Sequence, residues 1–409
     1  PVPHTARFGP SDTLPCHAAL PTGLDPRDTD STNNRRRLGE QADTLAERFR
    51  AAGYATLAVT SAKHMNHPWS GLGQGFDRMA WPSVERDRSA PESVALLREW
   101  MQEYRDQPLF IWLHLYDAHR PYEPPALHTL HHYPTERDPR SDSLPLPNGP
   151  LPPHLKGVRD LDYVRALYQG EVSHLDAELG ALLAHERMAQ AIVAVTGDHG
   201  ESLGEQGLWW DHVSLYPSVL HVPLLLRWPG GPAGLEIDEP VQNSGLGRTL
   251  LGLAGLPAQD FPGTDLRRFL EEDVPTHPRF AWGEDAHALS VTHAGWHLVM
   301  HLHVECIKPE LTTTDLLRDH ALELFNLRAD PACATDLSQV EPGRTAELGE
   351  RLLSWVEGAQ RTLAEVQHTD ADGLELLAAL GYGGSGEGGV PHGVDLEQVR
   401  ALLAPFRDN

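Results

Sequence analysis

The chain has 409 residues, of which 40% are hydrophobic and 22% are charged. This composition is typical of a soluble globular protein with about two or three domains and excludes a largely disordered chain. No apolar run reaches the ~20 residues that a membrane-spanning helix needs. The net charge of -25 argues against nucleic acids and anionic membranes as partners, so an anionic substrate would need local positive charge or a metal ion at its site.

Neither the cysteines nor the start of the sequence indicates the cellular compartment of the protein. The three cysteines, Cys16, Cys306 and Cys333, are too few to form a disulfide framework, and their number is odd. The sequence begins with Pro1 and shows no signal peptide, so we expect a fragment or a processed product. The localisation would be extracytoplasmic if a missing N-terminal segment carries a signal.

The first half of the chain alternates between predicted helices and strands. Apolar residues recur at helical spacing over residues 42–52, and residues 54–60 then form an apolar strand. Ser89 and Glu92 form a capping box at the start of the next helix. Residues 108–115 are the next buried strand. This order predicts a parallel sheet flanked by helices.

The middle of the chain contains the most apolar strand. Residues 126–157 are rich in proline, histidine and polar groups, which predicts an inserted, lid-like loop. A long helix follows from residue 160 to about residue 186. Residues 191–195 have no polar break, which predicts a strand buried on both faces, as in a parallel sheet. Residues 223–227 form another strand.

Short strand-like pieces after residue 256 predict a smaller antiparallel sheet packed on the main domain. We therefore divide the chain into a main α/β domain (1–255), a C-terminal α+β subdomain (256–382) and a glycine-rich linker with a short terminal helix (383–409). His297, His301 and His303 share one face of a predicted strand. A solvated edge strand explains these histidines better than a metal site does.

Asp198 and His199 follow Gly197, which ends the apolar strand that begins with residues 191–195. Ligands of open α/β sheets bind outside the carboxyl ends of the strands. A carboxylate next to an imidazole at that place is half of a metal site. Taken alone, the dipeptide is better explained by an aspartate that caps the next element. The surrounding sequence changes this interpretation.

The sequence around this pair, TGDHGESLGEQGLW at residues 196–209, resembles the second metal-binding motif of the sulfatase family, within the alkaline-phosphatase-like superfamily. The resemblance continues through Leu215, Tyr216 and residues 222–230, and it covers most of the chain from about Ser11 to Tyr382. It implies an alkaline-phosphatase-like α/β fold, with a mostly parallel sheet flanked by helices and a smaller C-terminal antiparallel-sheet subdomain.

Residues 11–24 resemble the nucleophile turn and helix of the family, where Cys or Ser is followed by any residue, Pro, Ser and Arg. With Pro15 aligned, Thr13 takes the nucleophile position, Cys16 the serine position and His17 the arginine position, which implies substrate binding by His17. Threonine at the first position predicts that no formylglycine forms. The Thr13 hydroxyl could attack an ester if a metal ion lowered its pKa. The alternative is that Thr13 caps the helix and Cys16 is a small buried residue.

The same resemblance assigns further residues to the ester group. Lys63 and His64 follow a predicted strand, at the place where the family holds the ester oxyanion, and His67 is the alternative to His64. His119 stands before x-Pro-Tyr, as the substrate-contacting histidine of the family does. His212 stands where many members carry a Lys or His that reaches the ester. The alternatives are an exposed lysine and surface loop histidines.

The metal site is the largest departure from the family. Asp198 and His199 are the ligands that the chain retains, whereas the pair of aspartates that ends the first strand of the family has no counterpart before Thr13. The resemblance implies a divalent metal ion. Calcium is the family default for sulfate esters, and zinc or manganese are the alternatives.

Three functions follow from these assignments. The first is a sulfatase-like hydrolase of sulfate esters that uses Thr13 in place of formylglycine. The second is a phosphodiester or phosphonate monoester hydrolase of the same superfamily, which a threonine nucleophile favours. The third is a catalytically inactive binding protein on the same fold. The substrate would be a small-molecule, glycan or lipid-type anionic ester, and its organic part and the oligomeric state stay open.

Overall fold

The computed structural model describes residues 7–8, 11–29, 31–83, 85–147, 151, 153–212, 214–237, 239–270, 277–283, 287–302, 322–358, 394 and 396–407. His303 and the glycine-rich segment that follows residue 382 lie outside these ranges. Within the described ranges, no helix combines the length and the hydrophobicity that crossing a membrane requires.

The secondary structure alternates between short strands and helices. In chain order, the strands are β1 (Arg7–Phe8), β2 (Ala55–Val59), β3 (Arg78–Ala80), β4 (Leu109–Leu113), β5 (Val193–Thr196), β6 (Ser202–Leu203), β7 (Trp209–Asp211), β8 (Leu224–Arg227), β9 (Val241–Gln242), β10 (Arg279–Trp282), β11 (Ala288–His293), β12 (Trp296–His301) and β13 (Leu322–Asn326). The α-helices are α1 (Thr13–Thr22), α2 (Pro26–Thr29), α3 (Leu45–Ala51), α4 (His67–Ser70), α5 (Ala90–Glu103), α6 (Ala126–His132), α7 (Leu161–Leu183), α8 (Pro217–Leu220), α9 (Gly245–Leu253), α10 (Pro342–Glu357) and α11 (Leu396–Arg407).

The chain forms two compact units. The first unit comprises Pro1–Leu45, Trp69–Gln74 and Ile192–Asn409, and the second comprises Ala46–Pro68 and Gly75–Ala191. The division of the sequence at residue 255 stays a prediction. The short terminal helix that was expected after residue 383 is α11.

The second unit is built on a parallel sheet with the strand order β3-β2-β4. Every residue of the central strand β2 is buried. Val59 near its end lies opposite Ala80 of β3 and Leu113 of β4. Because these strands run in one direction, their carboxyl ends meet at the same edge, where the following loops collect. The parallel sheet predicted for this part of the chain is confirmed.

Helices cover this sheet. The predicted capping box begins α5, where Glu92 accepts the backbone N–H of Ser89 over 3.0 Å and the hydroxyl of Ser89 over 2.8 Å. The apolar face of α5, including Leu97 and Trp100, is buried, and α5 packs on β2 and on α7. The predicted lid-like loop contains helix α6, which also packs on α7.

In the first unit, β5 pairs with β8 in a two-stranded antiparallel sheet, with Val193 opposite Arg227 and Thr196 opposite Leu224. The residues of β5 are only half-buried. The prediction of a strand buried on both faces of a parallel sheet is therefore wrong for β5 in both respects. An apolar run indicates that its side chains avoid water, but it carries no information about the direction of the neighbouring strand.

The C-terminal part of the first unit contains an antiparallel sheet in the order β10-β11-β12-β13. Helices α10 and α11 pack on each other, and α10 packs on β11 and β12. Leu298 of β12, Leu352 of α10 and Leu403 of α11 are fully buried members of one apolar core. The predicted antiparallel subdomain sheet is confirmed.

The histidines of β12 do not lie on a solvated edge, so that prediction is wrong. The strand lies between β11 and β13, and His297 is 0% exposed. Its Nε2 donates to the carbonyl oxygen of Leu215 over 2.8 Å, and its Nδ1 accepts the hydroxyl of Thr292 over 2.6 Å. Burial lowers the pKa of His297 to about 4. His301 is also buried and lies 2.9 Å from a carboxylate oxygen of Glu323.

Acid should weaken the fold through His297. Because its pKa falls from 6.5 to about 4 on folding, the unfolded chain binds a proton near pH 5 that the folded chain does not bind. Stability is therefore lost as the pH falls from above 6.5 towards 4. His297→Gln keeps an amide donor for Leu215 but has no group that titrates in this range. When the pH is lowered from about 7.5 to about 5, the unfolding free energy of the variant should therefore fall by about 2 kcal/mol less than that of the wild type. Denaturant unfolding at the two pH values measures this, and equal losses in both proteins would contradict it.

Candidate active site

The residues that the sequence predicts to bind or hydrolyse the ester lie in both units. Thr13 and His17 lie on α1, Asp198 and His199 follow β5, and His212 follows β7, all in the first unit. We call these five residues the Thr13 cluster. Lys63, His64 and His119 belong to the second unit.

A buried carboxylate holds the turn that begins α1. Asp12 is the N-cap of α1 and accepts the backbone N–H of Thr13 over 3.1 Å. It also accepts the backbone N–H of Asn34 over 3.1 Å and the side-chain amide of Asn34 over 2.5 Å. The side-chain oxygen of Asn34 in turn accepts the N–H of Leu14 over 2.7 Å. Thr13 is thus the first residue of the helix, and the alternative that it is the helix cap is wrong.

The Thr13 hydroxyl faces an imidazole nitrogen. Oγ1 of Thr13, a residue that is 1% exposed, lies 3.4 Å from Nε2 of His199. Nδ1 of His199 lies 2.9 Å from the carbonyl oxygen of Gly200. Because a carbonyl can only accept, Nδ1 is the donor in this contact, and Nε2 is the nitrogen that faces the hydroxyl. Oδ2 of Asp198 lies 3.5 Å from the same Nε2 and would stabilise positive charge that develops there.

His17, which the resemblance predicts at the arginine position of the family, does not supply the permanent positive charge of an arginine. Its Nδ1 donates to the carbonyl oxygen of Thr13 over 2.8 Å and lies 3.6 Å from Oδ2 of Asp198. Burial lowers the pKa of His17, and this effect outweighs the opposing influence of Asp198. The ring is therefore neutral at pH 7, and positive charge for an anionic substrate must come from other groups.

His212 is held by hydrogen bonds to Ser11 and Asp211 and by a stacking contact with His199. Its Nδ1 donates to the carbonyl oxygen of Ser11 over 2.8 Å, and its backbone N–H donates to Asp211 over 2.8 Å. The ring stacks on His199 with the centroids 4.0 Å apart and an angle of 29° between the planes. With Nδ1 protonated, Nε2 is the nitrogen that can exchange a proton.

Cys16 lies on α1 and is buried, as expected. Burial raises the pKa of its thiol, and the nearby carboxylates of Asp198 and Asp12 raise it further. The thiolate is the reactive form of cysteine, so a thiol held protonated in this way is a poor nucleophile.

The donors of the Thr13 cluster are too few for the metal ion that the resemblance implies. Among the residues that the structure describes, no group of three or more His, Cys, Asp and Glu side chains is arranged to hold a metal ion. Asp198 and His199 offer one carboxylate and one imidazole, whereas calcium takes about six to eight oxygen ligands and catalytic zinc takes about three protein ligands. The described residues do not by themselves fit calcium, zinc or manganese.

Lys63, His64 and His119 lie after the carboxyl ends of β2 and β4, which are neighbours in the sheet of the second unit. The backbone N–H of Lys63 donates to Asp87 over 2.9 Å. The ring of Tyr116 connects the two histidines, since it stacks on His119 at a centroid distance of 4.3 Å and meets His64 edge-on at 5.7 Å. The parallel strands therefore bring the substrate-contacting residues predicted for this unit to one edge of the sheet.

Three residues that position these side chains were not predicted from the sequence, namely Asp12, Asn34 and Tyr116. Asp12 had a usable signal, because it directly precedes the helical residues and aspartate is a preferred N-cap. Asn34 had none, because it stands 22 residues after Asp12 in a polar loop and no periodicity connects the two positions.

The fold and the site together define the class of protein. A parallel sheet, a small antiparallel sheet and a buried hydroxyl beside an Asp-His pair are combined in an α/β protein of the alkaline-phosphatase-like fold. More narrowly, the chain belongs to the sulfatase family, because the family profile described as Sulfatase matches residues 7–256. Members of this family are hydrolases that act on sulfate esters and generally use a divalent metal ion. The family recognised from the sequence is confirmed.

Named relatives are similar to the chain at low identity. A sulfatase from Formosa agariphila is 26% identical over 347 residues, which cover 68% of this chain and 67% of that protein. Human arylsulfatase K is 26% identical over 243 residues, which cover 54% and 42%. The choline-sulfatase of Rhizobium meliloti is 29% identical over 189 residues, which cover 43% and 33%. The chain thus spans about two thirds of the Formosa protein and less than half of the other two.

Solved structures of still lower identity share the fold. One is a protein in complex with its substrate D-glucosamine-2-N,6-O-disulfate, with a TM-score of 0.65, 15% identity, and coverage of 86% of this chain and 89% of that chain. Another is the phosphonate monoester hydrolase from Silicibacter pomeroyi, with a TM-score of 0.59, 17% identity, and coverage of 90% of both chains.

Removal of the Asn34 side chain should loosen the turn that carries Thr13. Asn34→Ala deletes one bond to Asp12 and leaves the N–H of Leu14 without its acceptor. We expect a loss of about 2–4 kcal/mol in unfolding free energy, because these groups are buried. Asn33→Ala is the control, since it removes a local bond to the N–H of Arg35 and keeps the bonds to Asp12. Denaturant unfolding of both variants measures the difference, and a loss no larger for Asn34→Ala than for the control would count against this role.

Proposed function

We propose that this protein hydrolyses a sulfate ester with the Thr13 hydroxyl as the nucleophile. The observation that carries the proposal is the buried hydroxyl of Thr13, whose Oγ1 lies 3.4 Å from Nε2 of His199. Membership of the sulfatase family supports the class of reaction. The resemblance that puts Thr13 at the nucleophile position supports the choice of residue.

The proposed reaction has two steps. First, Oγ1 of Thr13 attacks the sulfur atom and the bond from sulfur to the ester oxygen breaks, so that a threonine O-sulfate forms. The proton released by Thr13 is balanced by a proton delivered to the departing alcohol. Second, water attacks the sulfur of the adduct, hydrogen sulfate leaves, and the Thr13 hydroxyl is restored.

His199 can assist the first step in one of two ways. Its Nε2 can accept the proton of Thr13, and the nearby carboxylate of Asp198 then stabilises the imidazolium. Alternatively, if donors beyond the described residues completed a site, the same nitrogen and Asp198 would be two of the ligands of a divalent ion, whose chemistry is to stabilise an alkoxide. Calcium, zinc or manganese remains a prediction.

The remaining roles follow the same assignment. We propose that Nε2 of His212 delivers the proton to the leaving alcohol, since its ring is fixed by Ser11 and by the stack on His199. Lys63 and His119 are proposed to bind the ester oxygens, with His64 and the neutral His17 as further substrate contacts. Lys63 would act as a point charge on the anion.

The substrate that we propose is a sulfated saccharide. The support comes from solved structures with the same fold, one in complex with its substrate D-glucosamine-2-N,6-O-disulfate and another in complex with k-i-k-neocarrahexaose. A small-molecule or lipid-type sulfate ester is the alternative. In either case the ester is anionic, which suits the lysine and histidines assigned to it.

A second candidate is hydrolysis of a phosphodiester or a phosphonate monoester. It is favoured by the threonine at the nucleophile position, where formylglycine cannot form. A phosphonate monoester hydrolase among the proteins of the same fold also supports it.

Ester hydrolysis by the full-length gene product tests the proposal. The substrates are nitrophenyl sulfate and a nitrophenyl phosphodiester, each in added calcium, zinc or manganese and in a chelator. Thr13→Ala removes the nucleophile, and we expect kcat/KM for the sulfate ester to fall at least about 1000-fold. Thr13→Ser keeps a hydroxyl and should retain activity within about tenfold of the wild type.

Thr22→Ser is the matched control, because Thr22 is a buried threonine at the other end of α1, where its hydroxyl donates to Ala18. It should leave kcat/KM unchanged. Sulfate hydrolysis that survives in Thr13→Ala would contradict the proposed nucleophile. Turnover of the phosphodiester alone would favour the second candidate, and no turnover with any metal would favour an inactive binding protein.

A further inference from the structure

An exposed tryptophan stands at the carboxyl edge of the sheet in the second unit. Trp81 is 40% exposed and is the first residue after β3. Ala80 of β3 is paired with Val59 of β2, and the strands are parallel. Trp81 therefore lies alongside Thr60, at the end of the strand that leads to Lys63.

Arg88 fastens the ends of these two strands together. Its backbone N–H donates to the carbonyl oxygen of Ser61 over 2.9 Å. Its guanidinium donates to the carbonyl oxygens of Thr60 over 3.1 Å and of Trp81 over 2.9 Å. We call these contacts the Arg88 clasp. The clasp fixes the backbone of Trp81 relative to the backbone that precedes Lys63.

The neighbouring residue Asp87 adds a second connection. Its Oδ1 accepts the backbone N–H of Lys63 over 2.9 Å. The segment that starts with Trp81 is thus hydrogen-bonded both to the end of β2 and to Lys63 itself. A single exposed apolar residue is ordinary on protein surfaces, but this one is anchored at several points beside the residue that binds the anion in the proposed function.

We propose that Trp81 is a stacking platform for the sugar ring of the substrate. This inference rests on the proposed function, which gives the charged ester group to Lys63. The indole offers a flat, rigid, apolar face to a ring, at little cost in conformational entropy. In this proposal Lys63 binds the anion and Trp81 binds the ring of the same ester.

Calorimetric titration of the full-length protein with two probes tests the platform. The ring-bearing probe is D-glucosamine-2-N,6-O-disulfate, and the probe without a ring is inorganic sulfate. Trp81→Ala should raise the dissociation constant of the sugar about tenfold and change that of inorganic sulfate less than about twofold. Trp81→Phe keeps an aromatic face and should recover part of the lost affinity.

Trp228→Ala is the matched control. Trp228 is a half-buried tryptophan that also directly follows a strand, β8, but the end of β8 lies beside Val193, at the opposite end of β5 from Asp198. This variant should bind both probes as the wild type does.

The other results of these titrations would each overturn the platform. If the wild type binds and hydrolyses sulfate esters and Trp81→Ala keeps its affinity for the sugar, the platform is wrong and the proposed function stands. An equal weakening of both probes in Trp81→Ala would show that the residue only supports the loop, which also overturns the platform. If the wild type neither hydrolyses sulfate esters nor binds inorganic sulfate, the proposed function fails, and the platform fails with it.

Discussion

The site in the first unit depends on one buried carboxylate. Asp12 accepts hydrogen bonds from Thr13 and from Asn34, and it thereby fixes the first turn of α1. This turn holds the Thr13 hydroxyl beside Nε2 of His199, although the two residues lie 186 positions apart in the chain. A buried carboxylate without these partners would cost several kcal/mol, roughly, so the turn and the charge stabilise each other.

The resemblance implies that the charge around this hydroxyl differs from the family pattern. By that resemblance, Thr13 stands where the family carries the residue that becomes formylglycine, and His17, whose pKa is lowered by burial, stands where the family carries an arginine. Within the described residues of the Thr13 cluster, positive charge can arise when a histidine gains a proton. The proposed reaction therefore relies on proton transfer at His199 and His212, and Lys63 is assigned to the anion only in the proposed function.

Much of this could be predicted from the sequence, and the failures have physical causes. Strong local signals predicted the capping box at Ser89 and the parallel strands of the second unit, whereas the clustering of Asp198 and His199 with Thr13 was implied only by the family resemblance. The direction of the partner of β5 could not be predicted, because an apolar run reports burial and not orientation. The burial of His297 was missed because its partners, Leu215 and Thr292, are set by tertiary contacts.

Direct detection of the covalent adduct tests the central claim, that Thr13 is the nucleophile. The full-length protein would be mixed with a turned-over sulfate ester, quenched in acid and digested with trypsin, and the peptide of residues 8–27 would be sequenced by mass spectrometry. We predict a sulfate group on Thr13 that is absent from Ser11 and Thr22 in the same peptide and absent in Thr13→Ala. Continued turnover without any sulfate on this peptide, or sulfate on another residue, would contradict it.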